Sequence, residues 1–237
     1  MPERSSPTAT RRITPVELAS TEQAEPTGEN VGALVVVYGA RPDVGVTTVA
    51  EALSLAFRAV MAEDVALAEL DPRGDRVHSH DAMSVAIHIP GADSAMVRRT
   101  DGVWTFAMTR PLAPAVGDAK AVMTALDAMR ARFSVSVAEL EHHVNERTLT
   151  AFDAADRIVL LTEGSVPSVR GTQRALRLCQ RLNYPDEKMC VVLNRFDAPG
   201  SLPPADVSAA LRRELFWLVP ASAPVDVAGL AAKLLER

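Results

Sequence analysis

Residues 35–48 read Val-Val-Val-Tyr-Gly-Ala-Arg-Pro-Asp-Val-Gly-Val-Thr-Thr, a run of strand formers followed by a glycine-punctuated turn and a pair of threonines. The segment that follows, 47–61, has helical spacing. A strand that passes through a short glycine-bearing loop into a helix is the frame of a phosphate-binding loop. In such a loop, glycines let backbone N–H groups curl around phosphate oxygens. A lysine neutralises the outer phosphates and a hydroxyl holds Mg²⁺. Gly39, Gly45, Thr47 and Thr48 stand at the corresponding places. The residue before Thr47, where the lysine is needed, is Val46, which carries no charge. Pro42 has no N–H to offer. Asp43 puts a carboxylate where a polyphosphate would lie, and like charges at that range repel. The same short stretch therefore predicts a nucleotide-binding fold and argues against hydrolysis.

Downstream, strand and helix signals alternate. Strands are expected at 33–38, 65–69, 103–108, 133–138, 157–162, 189–193 and 215–218. Helices are expected at 47–61, 118–131, 146–152, 166–182, 204–213 and 225–235. Several strands are continuous apolar runs, as in a sheet covered on both faces. The fold class expected is α/β: a Rossmann-like P-loop fold with a mostly parallel central sheet of about seven strands flanked by helices. Residues 1–30 contain Pro, Ser, Thr and Glu without any period, and are expected to be a disordered tail ahead of a single domain over 31–237. Within the tail, Arg11-Arg12-Ile13 and Val16-Glu17-Leu18 are short enough to be docking motifs.

The chain of 237 residues is 48% hydrophobic but only 4% aromatic, so aliphatic packing must build the core. A net charge of −5 does not favour general nucleic-acid affinity. Cys179 and Cys190 make no disulfide framework, and with no signal-peptide pattern the expected compartment is the cytoplasm. No apolar run reaches the ~20 residues of a membrane span.

The loop resembles the deviant motif G-x-K-G-G-x-G-K-T-T of the ParA/MinD ATPases. Laid on it, Arg41 falls at the signature lysine, Pro42 and Asp43 at two glycines, and Val46 at the P-loop lysine. Further similarity is co-linear over about residues 33 to 220. Residues 65–75 resemble the second strand ending in D-x-D-P-x-G, with Glu69 at its first Asp and Asp71 at its second. Residues 133–142 resemble the Walker B strand, with Glu139 in place of its Asp. Residues 154–162 resemble A-A-D-x-V-x-L-V-T, and 191–195 the V-L-N-R strand end. A small residue replacing the P-loop lysine is most similar to the CpaE/TadZ branch, which serves Tad pili.

The resemblance implies roles by position. Asp71 would prepare the attacking water and Glu139 would support Mg²⁺; both are read as vestigial, since Mg²⁺ tolerates poor geometry badly. Nucleotide contacts, if any, would come from Gly39, Arg41, Gly45, Thr47, Thr48 and Asn194, the last at adenine. Thr47 is either a Mg²⁺ ligand or only a cap for the following helix. Asn194 is equally a strand-end turn residue. No cofactor is expected, with weak MgATP binding as the alternative.

Arg170, Arg174, Arg177 and Arg181 recur at spacings that place them on one helix face, opposite Val169, Leu176 and Leu182. That stripe is either a solvated face or a surface for an acidic partner or phosphates. His78, His80, His88, His142 and His143 form no recognisable zinc pattern and are expected in loops or at the surface. The amphipathic C-terminus, with Val227, Leu230, Leu234 and Leu235 on one side, is expected to pack on the core rather than on a membrane.

The function expected is that of a pseudo-ATPase: a homodimeric positioning or assembly scaffold for a polar or envelope machine such as a Tad-type pilus, acting through protein partners and held at a pole or membrane by them. Two alternatives stand beside it. One is an ATP-switched partitioning or division-site ATPase that uses Arg41 for the missing lysine. The other is a nucleoid-binding protein that uses the arginine stripe.

Overall fold

The computed structural model describes residues 31–70, 86–89, 94–107, 118–140, 142–221, 225 and 227–236. Strand β1 (Ala33–Gly39) leads into helix α1 (Val46–Met61), which returns the chain to β2 (Ala66–Glu69). An excursion follows: β3 (Ala86–Ile89), β4 (Ser94–Arg98) and β5 (Trp104–Ala107). Alternation then resumes with α2 (Asp118–Arg132), β6 (Val135–Glu139), α3 (Glu146–Ala154), β7 (Arg157–Glu163) and α4 (Val166–Arg181). The chain closes with β8 (Met189–Asn194), α5 (Pro204–Leu211), β9 (Trp217–Val219) and α6 (Ala228–Leu235).

The strands form one nine-stranded sheet in the order β3-β4-β5-β2-β6-β1-β7-β8-β9. From β5 to β9 every pairing is parallel; β4 and β3 are added antiparallel at one edge. The expected class and all of the expected strands and helices are present, and β3 and β4 are additional to them.

The period of two along β1 divides the core. Leu34, Val36 and Tyr38 face α2, α3, α4 and α5, while Val35 and Val37 face α1 and α6. Each helix lays its apolar stripe on its own side: Val49, Leu53 and Phe57 of α1 on one, Leu126, Phe152 and Leu176 of α2, α3 and α4 on the other. Aliphatic side chains dominate both layers, as the composition requires. The C-terminal apolar side packs inward as expected: Val227, Leu230 and Leu234 are buried beside α1. Among the described residues no helix is long and apolar enough to cross a membrane.

Two details differ from the sequence reading. Leu182, expected to pack beside Val169 and Leu176, lies just past the end of α4 and is 40% exposed. Helix α5 stops at Leu211 because Arg212 turns left-handed, with φ of 51°.

Candidate functional site

β1 lies between β6 and β7: its own connection runs through α1 to β2 on one side, and the chain later crosses from β6 through α3 to β7 on the other. In open α/β sheets the carboxyl edge at such a reversal is where ligands bind. The loop 40–45 sits there, between the end of β1 and the start of α1.

The loop holds one non-glycine residue in a backbone conformation that favours glycine. Asp43, at a family glycine, has φ of 62°, a left-handed conformation that Asp tolerates better than most residues. Gly45 has φ of 91° and forms the N-cap of α1 without a side-chain cap bond. Capping by Thr47 is therefore corrected: its Oγ1 donates to Glu139 Oε1 at 3.4 Å instead. Thr48 is exposed. Val46 fills the lysine position with apolar contact, packing with the α1-side core. A Cβ on Gly39 would lie 2.9 Å from Val46 Cγ2 and 2.4 Å from Val44 Cγ2. Gly39 is thus needed for close approach of the loop to its own strand.

The acidic floor comes from adjacent strands. Glu69 of β2 and Glu139 of β6 are paired in register and both are buried. They share the face on which α1 lies, so two carboxylates and the Thr47 hydroxyl converge under the first turn of that helix. Asp71 lies outside the described residues, as do His78 and His80. Of the other histidines, His88 is in β3, while the His142 and His143 rings lie with centroids 3.9 Å apart and planes tilted by 42° after β6. Among the described residues no group of three potential metal ligands is found.

The end of β8 holds the loop from the other side. Asn194 is buried; its Nδ2 donates to the Val44 carbonyl at 2.9 Å, and its Oδ1 accepts from the Arg195 amide at 3.1 Å. A Cβ on Gly45 would stand 2.6 Å from Asn194 Nδ2, so this contact depends on glycine. Arg195 donates from one guanidinium nitrogen to the Asp43 carbonyl at 3.2 Å and to Glu163 Oε1 at 2.7 Å. The ends of two strands, β7 and β8, are thereby tied to one loop. Arg195 and Glu163 were not among the sequence candidates. Glu163 closes β7, and nothing in the sequence announces that it meets an arginine thirty-two residues on.

Arg41 is exposed on the loop, and its stem passes under α4: a Cβ on Gly171 would touch Ala40 Cβ at 3.2 Å and Arg41 Cγ at 3.4 Å. Arg170, Arg174, Arg177 and Arg181 are all exposed on the face of α4 opposite its buried residues. A cavity of about 680 Å³ opens elsewhere, at the edge where the strands begin, among Val31, Met61, Phe133 and Leu234.

This arrangement — a deviant phosphate-loop frame at the carboxyl edge of a parallel sheet — defines the chain's fold as that of the ParA/MinD ATPases. Solved structures agree. A ParA family ATPase from Chlorobium tepidum superposes with a TM-score of 0.67 at 13% identity, over 87% of this chain and 89% of that one. The MinC:MinD cell division complex of Aquifex aeolicus gives 0.59 at 15% identity, over 86% of each chain. Cobyrinic acid a,c-diamide synthase from Mycobacterium smegmatis, with a bound ATP analogue and magnesium, gives 0.63 at 20% identity, over 86% of this chain and 92% of that one. No family model and no curated protein matches the chain.

Proposed function

We propose that the chain is a pseudo-ATPase that acts as a binding and positioning scaffold. The observation that carries this reading is Val46 at the lysine position, packed with Val44 against Gly39. Pro42 and Asp43 add to it: one backbone donor is missing, and a carboxylate is exposed where phosphate charge would gather. Phosphoryl transfer depends almost wholly on positioning and charge neutralisation, and this loop supplies little of either. The Thr47–Glu139 pair suits the cation side of a nucleotide site, whereas residues 41–46 do not suit a triphosphate. Weak MgATP binding is the most the site would give.

By similarity to the CpaE/TadZ branch, the scaffold would place or assemble a polar or envelope machine such as a Tad-type pilus. It would work from the cytoplasm through protein partners, with the arginine face of α4 as the docking surface and a homodimer as the working form. The Aquifex neighbour was solved with a protein partner, which fits a fold that works through partners. The test is ATP turnover by the full chain. The expected result is no release of phosphate above a control without protein. Turnover that disappears in Asp71→Ala would defeat the scaffold reading and favour the ATP-switched alternative, with Arg41 in place of the lysine.

A further inference from the structure

Arg170, Arg174, Arg177 and Arg181 form a cationic row along the exposed face of α4. The row runs for ~16 Å along the helix, at 1.5 Å per residue. None of the four has a hydrogen-bond or ion-pair partner among the described residues. Other arginines of the fold do have one, for example Arg130 with Asp156, Arg195 with Glu163 and Arg213 with Asp186. An exposed row of like charge costs self-repulsion unless something of opposite sign lies on it.

The chain carries that opposite charge in the sequence ahead of β1. Between Ile13 and Arg41 it has Glu17, Glu22, Glu25 and Glu29 and no Lys, Arg or Asp. This stretch enters the fold at Val31, and hydrogen bonds connect that point to the end of α4. Gly32 N donates to the Arg130 carbonyl at 2.9 Å, and Arg130 donates to the Ala154 carbonyl. Next to Ala154, Asp153 accepts from the Tyr184 hydroxyl, and Tyr184 N donates to the Cys179 carbonyl in the last turn of α4 at 3.1 Å. Arg181 therefore lies at the same edge of the molecule as the start of β1. Residues 17–29 can span up to ~45 Å, against ~24 Å for the length of α4.

We propose that the acidic stretch Glu17–Glu29 docks on the arginine face of α4 within its own chain and covers it until an acidic partner displaces it. The inference rests on the reading of that face as the docking surface. A tethered segment competes at an effective concentration on the order of 1 mM. A segment with an intrinsic affinity of ~0.1 mM would then mask the face about tenfold.

The test uses the full chain. Arg174→Lys and Arg177→Lys keep the charge and supply amines that a carbodiimide couples to nearby carboxylates. The expected products are isopeptide links from those amines to Glu22, Glu25 or Glu29, within single chains and at a yield independent of protein concentration. In parallel, Glu22→Gln, Glu25→Gln and Glu29→Gln together should raise affinity for heparin, a soluble polyanion, about tenfold at low salt. Links confined to pairs of chains would assign the stretch to a second copy and overturn the proposal. So would the absence of links, or unchanged heparin affinity in the triple variant. Neither readout involves nucleotide: ATP turnover would sink the scaffold reading and leave this docking intact, and missing links would do the reverse.

Discussion

Val46, Gly45 and Asn194 show how much of the site rests on single side chains. Replacing Val46 with lysine returns the charge but leaves Pro42 without an N–H and Asp43 with its carboxylate. Val46→Lys is accordingly expected to tighten MgATP binding without giving full turnover, a split that calorimetry and a phosphate-release assay separate. The wild-type loop lacks one charge-assisted contact, worth roughly 1.5–3 kcal/mol, or about 10- to 100-fold in affinity. Wild-type binding in the micromolar range or tighter would contradict this account of the loop. At Gly45, φ of 91° and the 2.6 Å approach of Asn194 Nδ2 leave no space for a methyl group. Gly45→Ala should destabilise the protein by roughly 1–3 kcal/mol, and chemical unfolding would measure it. If the Asn194 clamp is the reason, the penalty shrinks in an Asn194→Ala background, which a double-mutant cycle detects.

Among the elements, the loop between β1 and α1 has the clearest consequence for assembly. Arg41 and Asp43 are both exposed on it and opposite in charge, so two facing loops can pair them reciprocally about a two-fold axis. Sizing by light scattering is expected to show a dimer without ATP. Arg41→Asp should weaken it, and adding Asp43→Arg should partly restore it. Since an exposed pair contributes only ~0.2–1 kcal/mol, apolar contacts must supply most of the affinity. A strict monomer at high micromolar concentration would refute the self-association. The central elements were legible because each carries several residues of one period: β1, β7 and β8 as apolar runs, α1 and α4 as stripes. β3 and β4 were not, being four and five residues long at the antiparallel edge of the sheet. A signal was present in Pro90-Gly91 between the two runs, a turn pair of the kind that joins hairpin strands. Position alone makes Thr47 either a metal ligand or a cap, and only the fold shows that Glu139 is within its reach. The Asn194–Arg195–Glu163 tie was illegible for a similar reason: it joins strand ends that sequence order keeps far apart.

For the molecule as a whole, the sheet is a partition between two apolar layers. Cys179 lies in one layer and Cys190 in the other, both buried and free. They cannot pair without unfolding, and burial pushes each thiol up to about 11. Native protein at neutral pH should therefore resist aromatic disulfide reagents, with both thiols reacting only after denaturation. The sign for stability follows from the same shift. A folded pKa above the unfolded value near 9 means a contribution fully present below pH 9 and lost progressively as pH rises towards 11. Each thiol contributes a slope of up to about 1.4 kcal/mol per pH unit in that window. Denaturant midpoints measured from pH 8 to 11 should fall less steeply in a Cys179→Ala, Cys190→Ala variant. The tie between β8 and the loop has a consequence of another kind. The Asp43 and Val44 carbonyls are anchored to the chain at the end of β8, one strand in from the edge of the sheet, so the loop has become an extension of that strand. Its opening should share the strand's slow exchange of amide hydrogens for deuterium, with the Arg195 amide among the late exchangers and released early by Asn194→Ala, while Val191 and Val192 stay slow.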